Sequence, residues 1–153
     1  DIIDTEDIYK IRETAIVFKT DILKAHHFPV NKNETFCPET VLYNSFINDG
    51  KFLAINQAFY IGNYLNTGLT KSIQKIWLKN PNNFLLDLKI KYKVYGKYSP
   101  WKKNILRFEC ILEMNAYCWK KKINVLNTTP SKWRSILLFV PGIWFSNFRY
   151  REC

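Results

Sequence analysis

Glycine is scarce in this chain: 5 residues in 153, beside 6 prolines, 1 methionine and 2 histidines. A phosphate-cradling loop places several glycines within a few residues, and no such run occurs. There is no serine nucleophile elbow and no zinc cluster. His26 and His27 have no partner at metal-ligand spacing and read as loop residues. The 4 cysteines, Cys37, Cys110, Cys118 and Cys153, fit neither a CxxC pair nor a dense disulfide framework. Cys110 and Cys118 stand among apolar neighbours and read as small core hydrophobes, which suits a reducing compartment. Long apolar runs are missing too. The run from Ile136 to Phe145 spans 10 residues and is broken by Pro141-Gly142, whereas a spanning helix needs about 20. The opening "DIIDTEDIYK" is acidic and has no apolar core, so it reads as the continuation of a longer chain rather than a signal peptide. No internal repeat or low-complexity segment is present.

Acids are sparse after residue 50. Residues 1–50 carry 5 Lys/Arg against 9 Asp/Glu, a net −4, whereas residues 51–100 carry 8 against 1 and residues 101–153 carry 10 against 3, each a net +7. A basic, aromatic-rich back half suits an anionic partner such as a membrane face, a nucleotide sugar or a nucleic acid. The plain alternative is that these lysines solvate helix faces. What is abundant supports a packed core: 47% of residues are hydrophobic and 16% aromatic. The length suits one domain or a piece of one.

Along the chain, "TAIVFKTDIL" (Thr14 to Leu23) is rich in β-branched and aromatic residues and predicts a short buried strand leading into a helical turn. "HHFPVNKNETFCP" predicts a loop. "PETVLYNSFIN" predicts a helix of roughly ten residues from Pro38 to Asn48, with Pro38 in its first turn and Leu42 and Phe46 on one face. "KFLAINQAFYIGNYL" predicts a bent strand, followed by a loop around Gly68 and a helix from Thr70 that ends at "KNPNN". "LLDLKIKYKVY" fits both periods, and its length and preceding "PNN" favour a helix. In "WKKNILRFECILEMNAYCWKKK", Trp101, Ile105, Phe108, Leu112 and Trp119 form an apolar stripe at helical spacing. Near the end, Thr129 predicts a cap for a helix with Pro130 in its first turn. The final apolar run, flanked by Lys132, Arg134, Arg149 and Arg151, reads either as an interfacial membrane segment or as a buried terminal hairpin.

Three of these stretches occur in a telling order: "AIVFKTDILKAHHFP", "FCPETVLYNSF" and "GKFLAINQAFYIGNYLNTGLTKSI". Over residues 12 to about 80, their order and spacing resemble the C-terminal half of bacterial family 2 glycosyltransferases of the capsule and cell-surface polysaccharide type. The tail "LLFVPGIWF" is similar to the Pro-Gly ends of such enzymes. The resemblance implies an α/β, Rossmann-like GT-A fold. Residues 1–80 would be its acceptor-side half, and residues 81–153 a basic, aromatic, mainly helical extension. It implies inverting transfer from a nucleotide-sugar donor to a glycan or lipid-linked acceptor. It also implies a divalent metal, Mg or Mn, held by an Asp-X-Asp motif in a donor-binding half outside this chain. "DTED" at Asp4 to Asp7 reads instead as an acidic helical turn.

Carried onto this sequence, the resemblance makes Glu39 the catalytic base, within the Pro-Glu segment formed with Pro38. Thr40 stands where many members have Asp. Glu13 falls where subgroup members place an acid, and reads either as a contact to donor or acceptor sugar or as a plain surface acid. Tyr64, Gly68 and Thr70 would belong to a lid over the donor diphosphate, or to an ordinary turn with a helix cap. Without the resemblance, Glu39 reads as a helix-terminus carboxylate worth about 0.3–1 kcal/mol. The expected location is cytoplasmic, peripheral to the inner face of the bacterial cell membrane. Two other readings remain: a non-enzymatic basic module for an anionic membrane or nucleic acid, and an inactive transferase half. Aromatics at core-like spacing rather than interleaved with lysine weigh against a nucleic-acid partner.

Overall fold

The computed structural model describes residues 16–46, 49, 53, 55, 57 and 72–151. The chain divides into two compact units. One comprises residues 1–28 and 39–71, and the other residues 29–38 and 72–153. The first unit holds α1 (Thr20–Ala25) and α2 (Glu39–Ser45). The second holds α3 (Ile73–Lys79), α4 (Pro81–Val94), a 3-10 turn (Tyr95–Lys97) and α5 (Pro100–Lys121). It continues with α6 (Val125–Thr128), α7 (Lys132–Leu137) and α8 (Phe139–Arg149).

The α/β, Rossmann-like GT-A fold expected from the sequence is corrected by this architecture. The described residues form helices and no strand. Ile16 to Lys19 carry no strand pairing, and helix starts at Thr20, where the Lys19 carbonyl accepts from Ile22 N at 3.1 Å and Leu23 N at 3.2 Å. A β-branched run becomes a strand only when a neighbour supplies a ladder. The second predicted strand lies almost wholly outside the described residues. In the first unit, Phe18 packs against Tyr43 and Phe46 of the α2 region, with ring centroids 5.4 and 4.9 Å apart. Val41, Leu42 and Phe46 are buried there.

In the second unit, α4 and α5 each open with proline at the first helical position, where a missing N–H costs no helical bond. The end of α5 closes with Lys122 in the left-handed region (φ 56°) and a bond from Ile123 N to Cys118 O of 2.8 Å. Pro141 and Gly142, expected to break the last apolar run, instead sit inside α8. Pro141 is the third residue of that helix, where the N–H would have no helical acceptor in any case.

The buried face of α5 also differs from the predicted stripe. Trp101, Ile105 and Trp119 are exposed, while Cys110, Ile111, Met114, Tyr117 and Cys118 are buried. Periodicity found the helix, but smaller residues on another side permit the closer neighbour. That neighbour is α8, the most extensive partner of α5. A Cβ on Gly142 would lie 2.6 Å from the Asn115 Cβ, so only glycine lets the two helices approach this closely. The Asn115 amide donates to Ser135 O at 2.8 Å and ties α7 to the same place. At the centre, Phe84 stacks on Trp77 and meets Tyr117, both at 4.6 Å between centroids. Tyr117 donates to the Trp77 carbonyl at 2.8 Å, and Tyr150, fully buried at the end of α8, donates to Glu113.

Two outcomes follow for stability. Gly142→Ala adds a methyl that α5 cannot move aside as a flexible side chain would. Overpacking of about 1–3 kcal/mol outweighs the roughly 1 kcal/mol gained in helix propensity, so the urea midpoint should fall. Burial, followed by the Glu34 charge for Tyr117 and the Glu113 charge for Tyr150, pushes both phenols above their ordinary range. Each therefore holds its proton more tightly folded than unfolded. Their contribution is complete below about pH 10 and is lost as pH rises above it. Urea unfolding at rising alkaline pH should show this decline, and Tyr150→Phe should make it shallower.

Candidate functional site

The residues singled out around Glu39 lie at the start of α2. Glu39 is the first helical residue, preceded by half-buried Pro38 and followed by half-buried Thr40. Its carboxylate faces solvent, and Oε2 accepts from the Tyr43 hydroxyl one turn later at 3.2 Å. Burial, then the Glu39 charge and this hydrogen bond, pushes the Tyr43 phenol up, so it stays a donor at neutral pH. The Thr40 carbonyl accepts from the Asn44 amide at 2.7 Å. The helix is 7 residues long rather than about ten, so the dipole field at its mouth is small. The chain brings Pro38, Glu39 and Thr40 together simply by adjacency. Glu13, Tyr64, Gly68 and Thr70 lie outside the described residues, as does the predicted lid.

At the other end of α2 is a contact that sequence reasoning missed. His26 Nε2 lies 2.5 Å from Asp49 Oδ2, and His26 Nδ1 lies 3.1 Å from Ser45 Oγ. The order acid, imidazole, hydroxyl resembles a hydrolytic triad. However, Ser45 Oγ also donates to Leu42 O at 2.7 Å. Its single proton is engaged with the helix backbone rather than held for transfer to the imidazole. The group ties the end of α2 to the segment after α1 and does not present an activated nucleophile. Separations of 19 and 23 residues left no local signal for it.

A carboxylate does occupy the mouth of a longer helix, but it is Glu34. Its Oε1 and Oε2 accept from Asn82 N at 2.7 Å and Asn83 N at 2.8 Å, in the first turn of α4. Asn80 Oδ1 returns the contact by accepting from Thr35 N at 2.8 Å and Phe36 N at 2.9 Å. Asn83 donates to Phe36 O at 2.9 Å. The "NPNN" turn thus clamps residues 34–36 to the start of α4, within the second unit. The sequence marked this turn as the end of one helix and the start of the next, with no sign of the clamp.

Cys110 is buried and donates to Leu88 O, and burial pushes its thiol up to about 12, so it is no nucleophile at neutral pH. Among the described residues, no three His, Cys, Asp or Glu side chains converge. Also among the described residues, no helix is long and apolar enough to cross a membrane. Compared with protein-family models, curated proteins and solved structures, the chain shows no match.

Glu34→Ala removes two charge-assisted bonds from the α4 N-terminus. It should lower unfolding free energy by about 1–2 kcal/mol in urea titration, and Glu34→Gln, which keeps one acceptor oxygen, should cost less.

Proposed function

We propose that this chain is the acceptor-side part of a glycosyltransferase that moves a sugar, with inversion, from a nucleotide-sugar donor to a glycan or lipid-linked acceptor in cell-surface polysaccharide synthesis. The observation that carries the reading is Glu39. It is an acid in the first turn of a helix, open to solvent, and steadied by the Tyr43 hydroxyl. The ordered run of motifs around it supports the same reading. A base for single displacement needs this access, because it must reach the acceptor hydroxyl. As the acceptor oxygen bonds to the anomeric carbon, the bond to the nucleoside diphosphate breaks, and the hydroxyl proton passes to the Glu39 carboxylate. Pro38 and Thr40 flank the base, and Glu13, Tyr64, Gly68 and Thr70 complete the proposed contacts to sugar and diphosphate. In this reading the enzyme works in the cytoplasm, at the inner face of the bacterial membrane.

In the transferase that contains this segment, Glu39→Gln should lower turnover by about 10²–10⁴-fold. The circular dichroism melt should stay unchanged, since Glu39 is exposed. Wild-type turnover in that variant would overturn the assignment.

A further inference from the structure

Helices α7 and α8 carry six large apolar side chains that are more than half exposed. Trp133, Ile136 and Leu137 on α7 are 59, 65 and 60% exposed. Val140, Trp144 and Phe148, four residues apart along α8, are 73, 73 and 76% exposed. Four-residue spacing puts the latter three on one helix face. The opposite face, with Gly142 and Ser146, is buried. An isolated exposed side chain needs no explanation, but a continuous aromatic and aliphatic face does.

Among the described residues, the exposed charges of α7, α8 and the segments that flank them are positive. From Met114 to Arg151 the sequence has seven Lys/Arg and no Asp/Glu. Three of these cations are committed to the fold, Lys120 by donating to Tyr150 O at 2.9 Å. Arg134 bonds Tyr92 and Asn104, and Arg149 pairs with Glu113 at 3.5 Å. Lys121, Lys122, Lys132 and Arg151 are exposed. Beside the face lies a cleft of about 1230 Å³, lined by Trp119, Ile136, Phe139 and Val140 with Lys122 and Arg151. Apolar wall and cationic rim therefore meet in one place.

We propose that the α7–α8 face docks onto an anionic lipid bilayer. Trp144, Phe148 and Val140 enter the headgroup–acyl boundary, and Lys121, Lys122, Lys132 and Arg151 lie against the lipid phosphates. The apolar stripe is too short to span and lies along the interface. The uniform positive charge selects a bilayer surface over an apolar protein partner, whose contact area would be depleted in lysine. The inference rests on α7 and α8 and not on the chemistry of Glu39, so inactive Glu39→Gln protein should still bind.

The test is co-sedimentation of the full chain with vesicles of phosphatidylcholine alone or mixed with phosphatidylglycerol, with tryptophan emission as a second readout. Binding should require phosphatidylglycerol, weaken with salt and shift emission to the blue. Trp144→Ser with Phe148→Ser should weaken binding tenfold or more. The set Lys121→Gln, Lys132→Gln and Arg151→Gln, which leaves the apolar face intact, should weaken it roughly 100-fold. The proposal is overturned by absence of binding, by equal binding to both vesicle types, or by both variants binding as wild type does. It is equally overturned if sedimentation shows a dimer that the Trp144/Phe148 variant dissolves and no vesicle binding accompanies it, because a second copy would then cover the face.

Discussion

The second unit depends on one close approach, between Gly142 of α8 and Asn115 of α5. With no side chain at Gly142, the two backbones come near enough for Tyr150 to reach the core and bond Glu113. Asn115 uses its amide to hold Ser135, so α7 is fixed by the same residue. The consequences run outward from there. Burying Tyr117 and Tyr150 brings Phe84 and Trp77 into one aromatic stack. Because α8 turns its small residues inward, its large ones, Val140, Trp144 and Phe148, must face out. The tight helix contact and the exposed apolar face are two results of a single constraint.

Carboxylates at helix starts play two different parts here. Glu34 comes from a segment distant in sequence and satisfies two backbone donors of the 14-residue α4. Its negative charge sits where the helix field and the unpaired N–H groups are strongest, so its role is structural. Glu39 begins a short helix of its own, faces solvent and accepts from the Tyr43 hydroxyl. That leaves one side of its carboxylate open, which is what proton transfer from a substrate hydroxyl would require. The same residue type is thus spoken for in one place and free to act in the other. The difference lies in how many backbone donors surround each group.

Much of the helical organisation was legible. The prolines at 81 and 100, the apolar spacing of α5 and the acid at the first turn of α2 are all local signals. The α/β expectation failed because it came from a family resemblance and from β-branched residues around Ile16, and β propensity has meaning only beside a partner strand. The stripe from Trp101 to Trp119 failed differently. Tryptophan and isoleucine at helical spacing look like a core, yet the face that packs is the one with cysteine, alanine and asparagine, which a close neighbour can fit against. The contact of His26 with Asp49 and Ser45 left no trace in the sequence, since no local spacing rule links its three residues.

By itself the sequence determined the charge asymmetry, the proline-marked starts of α4 and α5, the shortness of the last apolar run and the unusual Pro-Glu start of α2. These follow from residue type and near-neighbour spacing, which act within a turn or two. The start of α7 was not among them, since its N-cap is Ser131 and not Thr129. Only the tertiary structure decided which face of α5 is buried, which acid caps which helix, and that the aromatic side of α8 is left to solvent. Periodicity names an apolar face without naming what covers it. That choice is made by steric fit between segments far apart in the chain, and here by the one missing Cβ at Gly142.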